Sequence, residues 1–133
     1  MSFVLDVSST LPLVYSDESG GDTEKLRRAF AEGLVAYVPT LWRYELSSAL
    51  RQGERRGRVT AEQVGEALEL LEAFPMKEVE TSSAYSLVGG SRIHDLTAYD
   101  TSYLLLAQHL ALPLATRDER LRAAAVAGEV ELF

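Results

Sequence analysis

Short apolar runs alternate along the chain with longer segments in which apolar residues recur every three or four positions. Phe3-Val4-Leu5, closed by Asp6, predicts a buried strand over residues 2–6. Asp22 is the expected N-cap of a helix over residues 24–32 that Gly33 ends, and residues 34–38 form a second apolar run. Pro39-Thr40 opens a helix with Trp42, Leu46, Ala49 and Leu50 on one face, ending near Gly53 or Gly57. Thr60 and Gln63 form a capping pattern for the next helix, whose apolar face is Val64, Ala67, Leu68 and Leu71. Pro75 stops it. A weak strand pattern follows at residues 76–79, then a short helix over 81–88 closed by Gly89-Gly90. Thr97 starts a helix to about Leu110, residues 112–116 read as a strand, and 118–127 as a last helix ended by Gly128. Residues 130–133 read as an edge strand. This alternation predicts an α/β fold: a single α/β/α domain over residues 1–133 with a central, mainly parallel sheet.

Composition narrows the class only modestly. A chain of 133 residues suits one domain with a proper core. The absence of cysteine excludes disulfides and thiolate metal sites. Met1-Ser2-Phe3 lacks a basic leader segment, and no apolar run approaches the ~18 residues that span a bilayer, so a cytoplasmic setting without membrane contact is expected. Net charge is −7, which argues against sequence-independent nucleic-acid binding through clustered cations. A nuclease is still allowed, because part of that charge belongs to a metal site counted without its metal. Arg51, Arg55, Arg56 and Arg58 fall in one stretch, read either as a solvated helix end or as a patch contacting phosphate or a partner.

Four acids stand out once the elements are placed. Asp6 and Asp118 lie at or just beyond strand ends, while Glu45 and Asp100 lie in the first two turns of helices expected to start at the same sheet edge. Ligands bind that carboxyl edge where strand order reverses. Each acid also has an ordinary reading. Asp6 and Asp118 suit caps, Thr97-x-x-Asp100 suits a capping box, and Glu45 suits a helix surface. Asp100 resists it, because it shares an apolar stripe with Tyr103, Leu104, Ala107 and Leu110 and has no Lys or Arg within two turns on that helix. Gathered carboxylates repel unless a cation holds them. An all-oxygen set, with His94 and His109 forming no ligand pair, suits Mg²⁺ or Mn²⁺ rather than zinc. Such a site activates water toward a phosphodiester, with Ser8 and Thr116 placed to support the carboxylates. No phosphate-binding glycine loop or serine-hydrolase elbow is present. A dehalogenase-like phosphatase would want a second Asp where Ser8 stands. A receiver-like domain needs a Lys after a late strand, where Arg117 stands and Lys25 and Lys77 are the only lysines.

The segments FVLDVSS, VPTLWRYELSSAL, LTAYDTSYLLLAQHLALPLATRDERL and the terminal VELF resemble the PIN domain, and more closely the VapC-type toxin ribonucleases of prokaryotic toxin–antitoxin pairs. The resemblance covers nearly the whole chain and is weakest from about Thr60 to Arg92. It implies a PIN-like fold in which Asp6, Glu45, Asp100 and Asp118 are the metal-binding and catalytic acids, with Ser8 and Thr116 as the hydroxyl residues beside them. It further implies Mg²⁺- or Mn²⁺-dependent cleavage of RNA, homodimerisation and inhibition by a VapB-type antitoxin. Val7 stands where the family pattern leads one to expect a smaller residue, and Asp95 and Glu119 are candidate additional acids. The alternative is a regulatory module that keeps the fold, binds RNA or protein and does not cut.

Overall fold

In this computed structural model, which describes residues 2–133, the apolar run at the start becomes the centre of the sheet. Met1, included in the expected domain, lies outside the described residues. β1 (Phe3–Leu5) is flanked on one side by β2 (Ala36–Val38), with β3 (Met76–Glu78) beyond it, and on the other by β4 (Leu114–Ala115). Every pairing in this four-stranded sheet is parallel, with Val4 opposite both Tyr37 and Leu114. Among the described residues seven α-helices complete the fold: α1 (Val7–Val14), α2 (Gly21–Ala31), α3 (Thr40–Arg55), α4 (Ala61–Glu72), α5 (Ala84–His94), α6 (Ala98–Leu110) and α7 (Glu119–Ala127).

Strand alternation sorts the helices into two layers. Phe3 and Leu5 point to one face, where Leu13 of α1, Leu26 and Phe30 of α2, Leu46 and Leu50 of α3 and Leu71 of α4 cover them. Val4 points to the other, against Tyr103, Leu104 and Leu106 of α6 and Leu121 and Ala125 of α7. Each such Leu or Phe contributes roughly 1.5–3 kcal/mol by leaving water, so the two clusters hold the sheet edge rigid. The α/β/α expectation and the parallel sheet are borne out. No helix among the described residues is long and apolar enough to cross a membrane.

Several elements differ from expectation for identifiable reasons. Residues 7–14 form a helix that Ser8-Ser9-Thr10 and Pro12 disguise. Pro12 removes one i→i−4 bond, and burial of Val7, Leu13 and Pro12 itself offsets that loss. α2 begins at Gly21 and is capped from Gly20, whose N–H donates to Thr23 Oγ1 at 3.0 Å, so Asp22 is not the N-cap. α5 runs through Gly89-Gly90 to His94 and ends in left-handed Asp95 (φ 51°). Gly90 allows α6 to approach: a Cβ there would stand 2.7 Å from Thr101 Cγ2. The edge strand over 130–133 contracts to a single parallel bridge, Leu114 to Leu132. The apolar face expected on α4 is only partly covered, with Leu71 buried and Leu68 41% exposed.

The two glycines of α5 therefore respond oppositely to alanine. Gly89→Ala meets nothing within 4 Å and stabilises the fold by about 0.5–1 kcal/mol through helix propensity. Gly90→Ala forces α5 off α6 and destabilises by about 1–3 kcal/mol. Urea denaturation midpoints of both variants distinguish this from a glycine pair that simply stops a helix, where the two would behave alike.

Candidate active site

Strand order reverses between β1 and β4, because β2 and β3 lie on one side of β1 and β4 on the other. Asp6 follows β1 at this switch point and is 6% exposed. Its Oδ1 accepts the Val7 N–H at 2.8 Å, capping α1. Its Oδ2 accepts the hydroxyls of Ser8 and Thr116, each at 2.7 Å. Ser8 Oγ in turn accepts the Arg117 N–H at 2.9 Å, and Thr116 Oγ1 accepts the Asp118 N–H at 3.1 Å. A single hydroxyl layer thus ties the end of β1 to the corner after β4.

The other acids reach the same place from helix starts. Asp118 caps α7, its Oδ1 accepting the Leu121 N–H at 2.8 Å. Asp100 sits in the first turn of α6, whose cap Thr97 accepts the Asp100 N–H at 3.1 Å. Burial pushes the Asp100 carboxyl above its ordinary range, as do Asp118 and Asp6, against smaller opposing pulls from Thr97 and Arg120. Glu45, in the second turn of α3, is also raised by burial, with Asp6 and Asp100 adding repulsion, while a hydrogen bond from Tyr103 acts the other way. That phenol, 0% exposed, donates to Glu45 Oε1, and burial beside Glu45 keeps it protonated by raising it strongly.

The family model described as PIN domain matches residues 3–127. The chain belongs to the PIN domain family. Among solved structures it resembles PAE2754 from Pyrobaculum aerophilum, at 22% identity over 93% of this chain and 87% of that one, with a TM-score of 0.64. It also resembles VapBC2 from Rickettsia felis, solved bound to a DNA fragment from their promoter, at 10% identity over 100% of this chain and 98% of that one, with a TM-score of 0.73. At these identities both likenesses concern the fold. No curated protein matches the sequence.

Within this PIN fold the structure brings Asp6, Ser8 and Thr116 into direct contact and sets Glu45, Asp100 and Asp118 within electrostatic reach of them or one another. The two additional acids do not join by hydrogen bond: Asp95 ends α5, and Glu119 is exposed in the first turn of α7. Tyr103 was visible in the sequence only as a core residue, although its i+3 spacing from Asp100 put both on one helical face. Arg117 and Asp22 gave no joint signal, being 95 positions apart and paired through Nε–Oδ2 at 2.6 Å. The basic stretch is partly engaged: Arg51 pairs with Glu54, and Arg58 bridges Asp17 and Glu18 while lying 3.9 Å over the Tyr15 ring.

Among the described residues no group of three or more His, Asp or Glu side chains stands ready to hold a metal ion. The donors nevertheless fit a hard divalent cation, being carboxylate and hydroxyl oxygens with mutual repulsion that a cation relieves. That repulsion has a stability consequence. Raised groups such as Glu45 and Asp100 contribute stability at low pH and lose it as pH rises through their folded-state values. Asp22, lowered by its Arg117 hydrogen bond, contributes at neutral pH and loses it on acidification. In metal-free protein, Asp100→Asn should raise the urea midpoint at neutral pH and flatten its decline from acid to neutral pH. Mn²⁺ should raise the wild-type midpoint more than the variant's. An unchanged midpoint would show that Asp100 carries no repulsion.

Proposed function

We propose that this chain is a single PIN-like domain acting as a Mg²⁺- or Mn²⁺-dependent endoribonuclease of the VapC toxin type, cytoplasmic, homodimeric and inhibited by a VapB-type antitoxin. The observation that carries the proposal is Asp6, fixed at the switch point by Ser8 and Thr116, with the charges of Glu45 and Asp100 close to it and that of Asp118 close to Asp100. The fold likeness to a VapBC assembly supports the toxin assignment. Tyr85 (92% exposed), Val88 (54%) and Ile93 (77%) leave apolar surface on α5 that suits a second copy.

In this proposal Asp6, Glu45, Asp100 and Asp118 hold the cation, and Ser8 and Thr116 fix the Asp6 carboxylate. The cation, when bound, lowers the pKa of an attacking water and neutralises charge on the leaving oxygen. Glu45, half-buried and oriented by Tyr103, is suited to take the proton from that water as it attacks phosphorus. Tyr44 and Tyr99, each just before a site acid and 62% and 63% exposed, offer faces on which unpaired bases stack.

Purified protein with Mn²⁺ or Mg²⁺ should cleave RNA, and chelator should stop it. Asp6→Asn and Asp100→Asn should lower kcat about a hundredfold or more without unfolding. Tyr103→Phe, which only frees Glu45, should lower it by about 10–100-fold. Cleavage undiminished in both Asn variants would remove the site assignment. Folded protein that binds RNA or a partner, with no metal-dependent turnover, would establish the binding module instead.

A further inference from the structure

We propose that Arg117 is a positioning residue of the acid site, a splint that fixes the corner between β4 and α7 against the start of α2. The inference rests on the nuclease proposal above. Arg117 stands between Thr116, which donates to Asp6, and Asp118, which caps α7. Its main-chain N–H is engaged with Ser8 Oγ at 2.9 Å. Its side chain turns the other way and crosses to the opposite helical layer.

There the guanidinium is held on several sides. Nε and Nη2 donate to Asp22 Oδ2 and Oδ1 at 2.6 and 2.7 Å, a fork-on-fork pairing. Nη1 donates to the Glu18 carbonyl at 2.7 Å, and Nη2 reaches Thr23 Oγ1 at 3.3 Å. An isolated surface ion pair contributes about 0–1 kcal/mol, whereas a bidentate guanidinium with further partners holds a fixed position. Asp22 stands one residue into α2, and the N-cap before it is Gly20. A Cβ at Gly20 would lie 3.1 Å from Asp22 Oδ1 and 3.4 Å from Arg117 Nη2, so the glycine leaves the space that the pair fills. The pairing also commits this cation to Asp22 and so leaves the charge of the site acids for a metal ion.

Only three consecutive main-chain positions, 116–118, carry both Thr116 and Asp118 to the switch point. The corner is pinned on its inner side by Ser8 and on its outer side by Asp22. Loss of the outer pin lets the corner move relative to Asp6. Arg117 thereby acts on the reaction through Thr116 and Asp118.

The test is Mn²⁺ titration by calorimetry of the whole chain, with kcat and KM on RNA measured alongside. Arg117→Ala and Asp22→Ala should each weaken Mn²⁺ binding and lower kcat by about 10–100-fold while leaving KM for RNA near wild type. The double variant should be no weaker than either single one, because both remove the same clamp. Arg27→Ala breaks another ion pair of α2, its single contact with Glu24 at 2.7 Å, and should leave Mn²⁺ affinity unchanged. Wild-type Mn²⁺ affinity and kcat in folded Arg117→Ala or Asp22→Ala, with only the melting temperature lowered, would overturn the splint. So would additive losses in the double variant, or an equal loss in Arg27→Ala. Failure of the wild-type chain to bind Mn²⁺ would overturn the nuclease proposal itself, and is seen before any variant is made.

Discussion

The hydrogen bonds that satisfy the Asp6 carboxylate are the constraint on which the rest of the site depends. A carboxylate 6% exposed must have its lone pairs filled, because an unsatisfied buried charge costs several kcal/mol. Val7 supplies one donor from the start of α1, Ser8 a second from the same turn, and Thr116 a third from beyond β4. Satisfying Asp6 therefore fixes the relative position of β1, α1 and the β4–α7 corner at once. The parallel pairing of Leu5 with Ala115 sets the register that brings Thr116 level with Asp6. A shift of one residue would send Thr116 to the other face and leave Oδ2 without that donor.

The two hydrophobic layers supply the rigidity that this arrangement requires. Phe3 stacks on Phe133 at 4.4 Å and tilts against Phe30 at 5.5 Å, while Phe30 stacks on Phe74 at 4.4 Å. On the opposite face Tyr103 is packed among Leu104, Leu106 and Leu121 and still directs its hydroxyl to Glu45. Tyr103 thus couples packing to chemistry: the apolar cluster fixes the ring, and the ring fixes a carboxylate of the site. Trp42 does the same on the first face, its indole N–H donating to Thr10 Oγ1 at 3.0 Å, which itself donates to the Asp6 carbonyl at 2.9 Å.

What was legible in the sequence follows from which signals are local. The Phe3-Val4-Leu5 run, the Thr60–Gln63 capping box and the stripe of α6 are local, and each appears as expected. That Asp6, Glu45, Asp100 and Asp118 should lie toward one sheet edge was expected from topology, since parallel strands with helical crossovers leave few places for residues after strand ends. Pairwise charge effects link Glu45 and Asp100 to Asp6, and Asp118 to Asp100. α1 was hidden because Ser8-Ser9-Thr10 and Pro12 favour turns in isolation, and only burial against the sheet overrides them. Gly89-Gly90 read as a stop because nothing local reveals that Thr101 presses on α5. The hydroxyl of Tyr103 and the reach of Arg117 depend on partners 58 and 95 positions away, beyond any periodicity.

The capping roles of the acids and the cation site proposed for them are not rivals. Asp6 and Asp118 are N-caps of α1 and α7, and Asp100 lies in the first turn of α6. Each cap locks a side-chain rotamer and turns a carboxylate toward the positive end of a helix, an interaction contributing about 0.3–1 kcal/mol at exposed sites and up to ~2 where partly buried. Taking a charge out of water costs several kcal/mol even after relaxation. The caps therefore orient Asp6 and Asp118, while Glu45 and Asp100, which cap no helix, have no such partner in a helix start. Their proton affinities are raised by burial, and neighbouring carboxylates add to it. The divalent cation of the proposed function would remove that repulsion, and the hydroxyls of Ser8 and Thr116 hold the Asp6 carboxylate in one orientation.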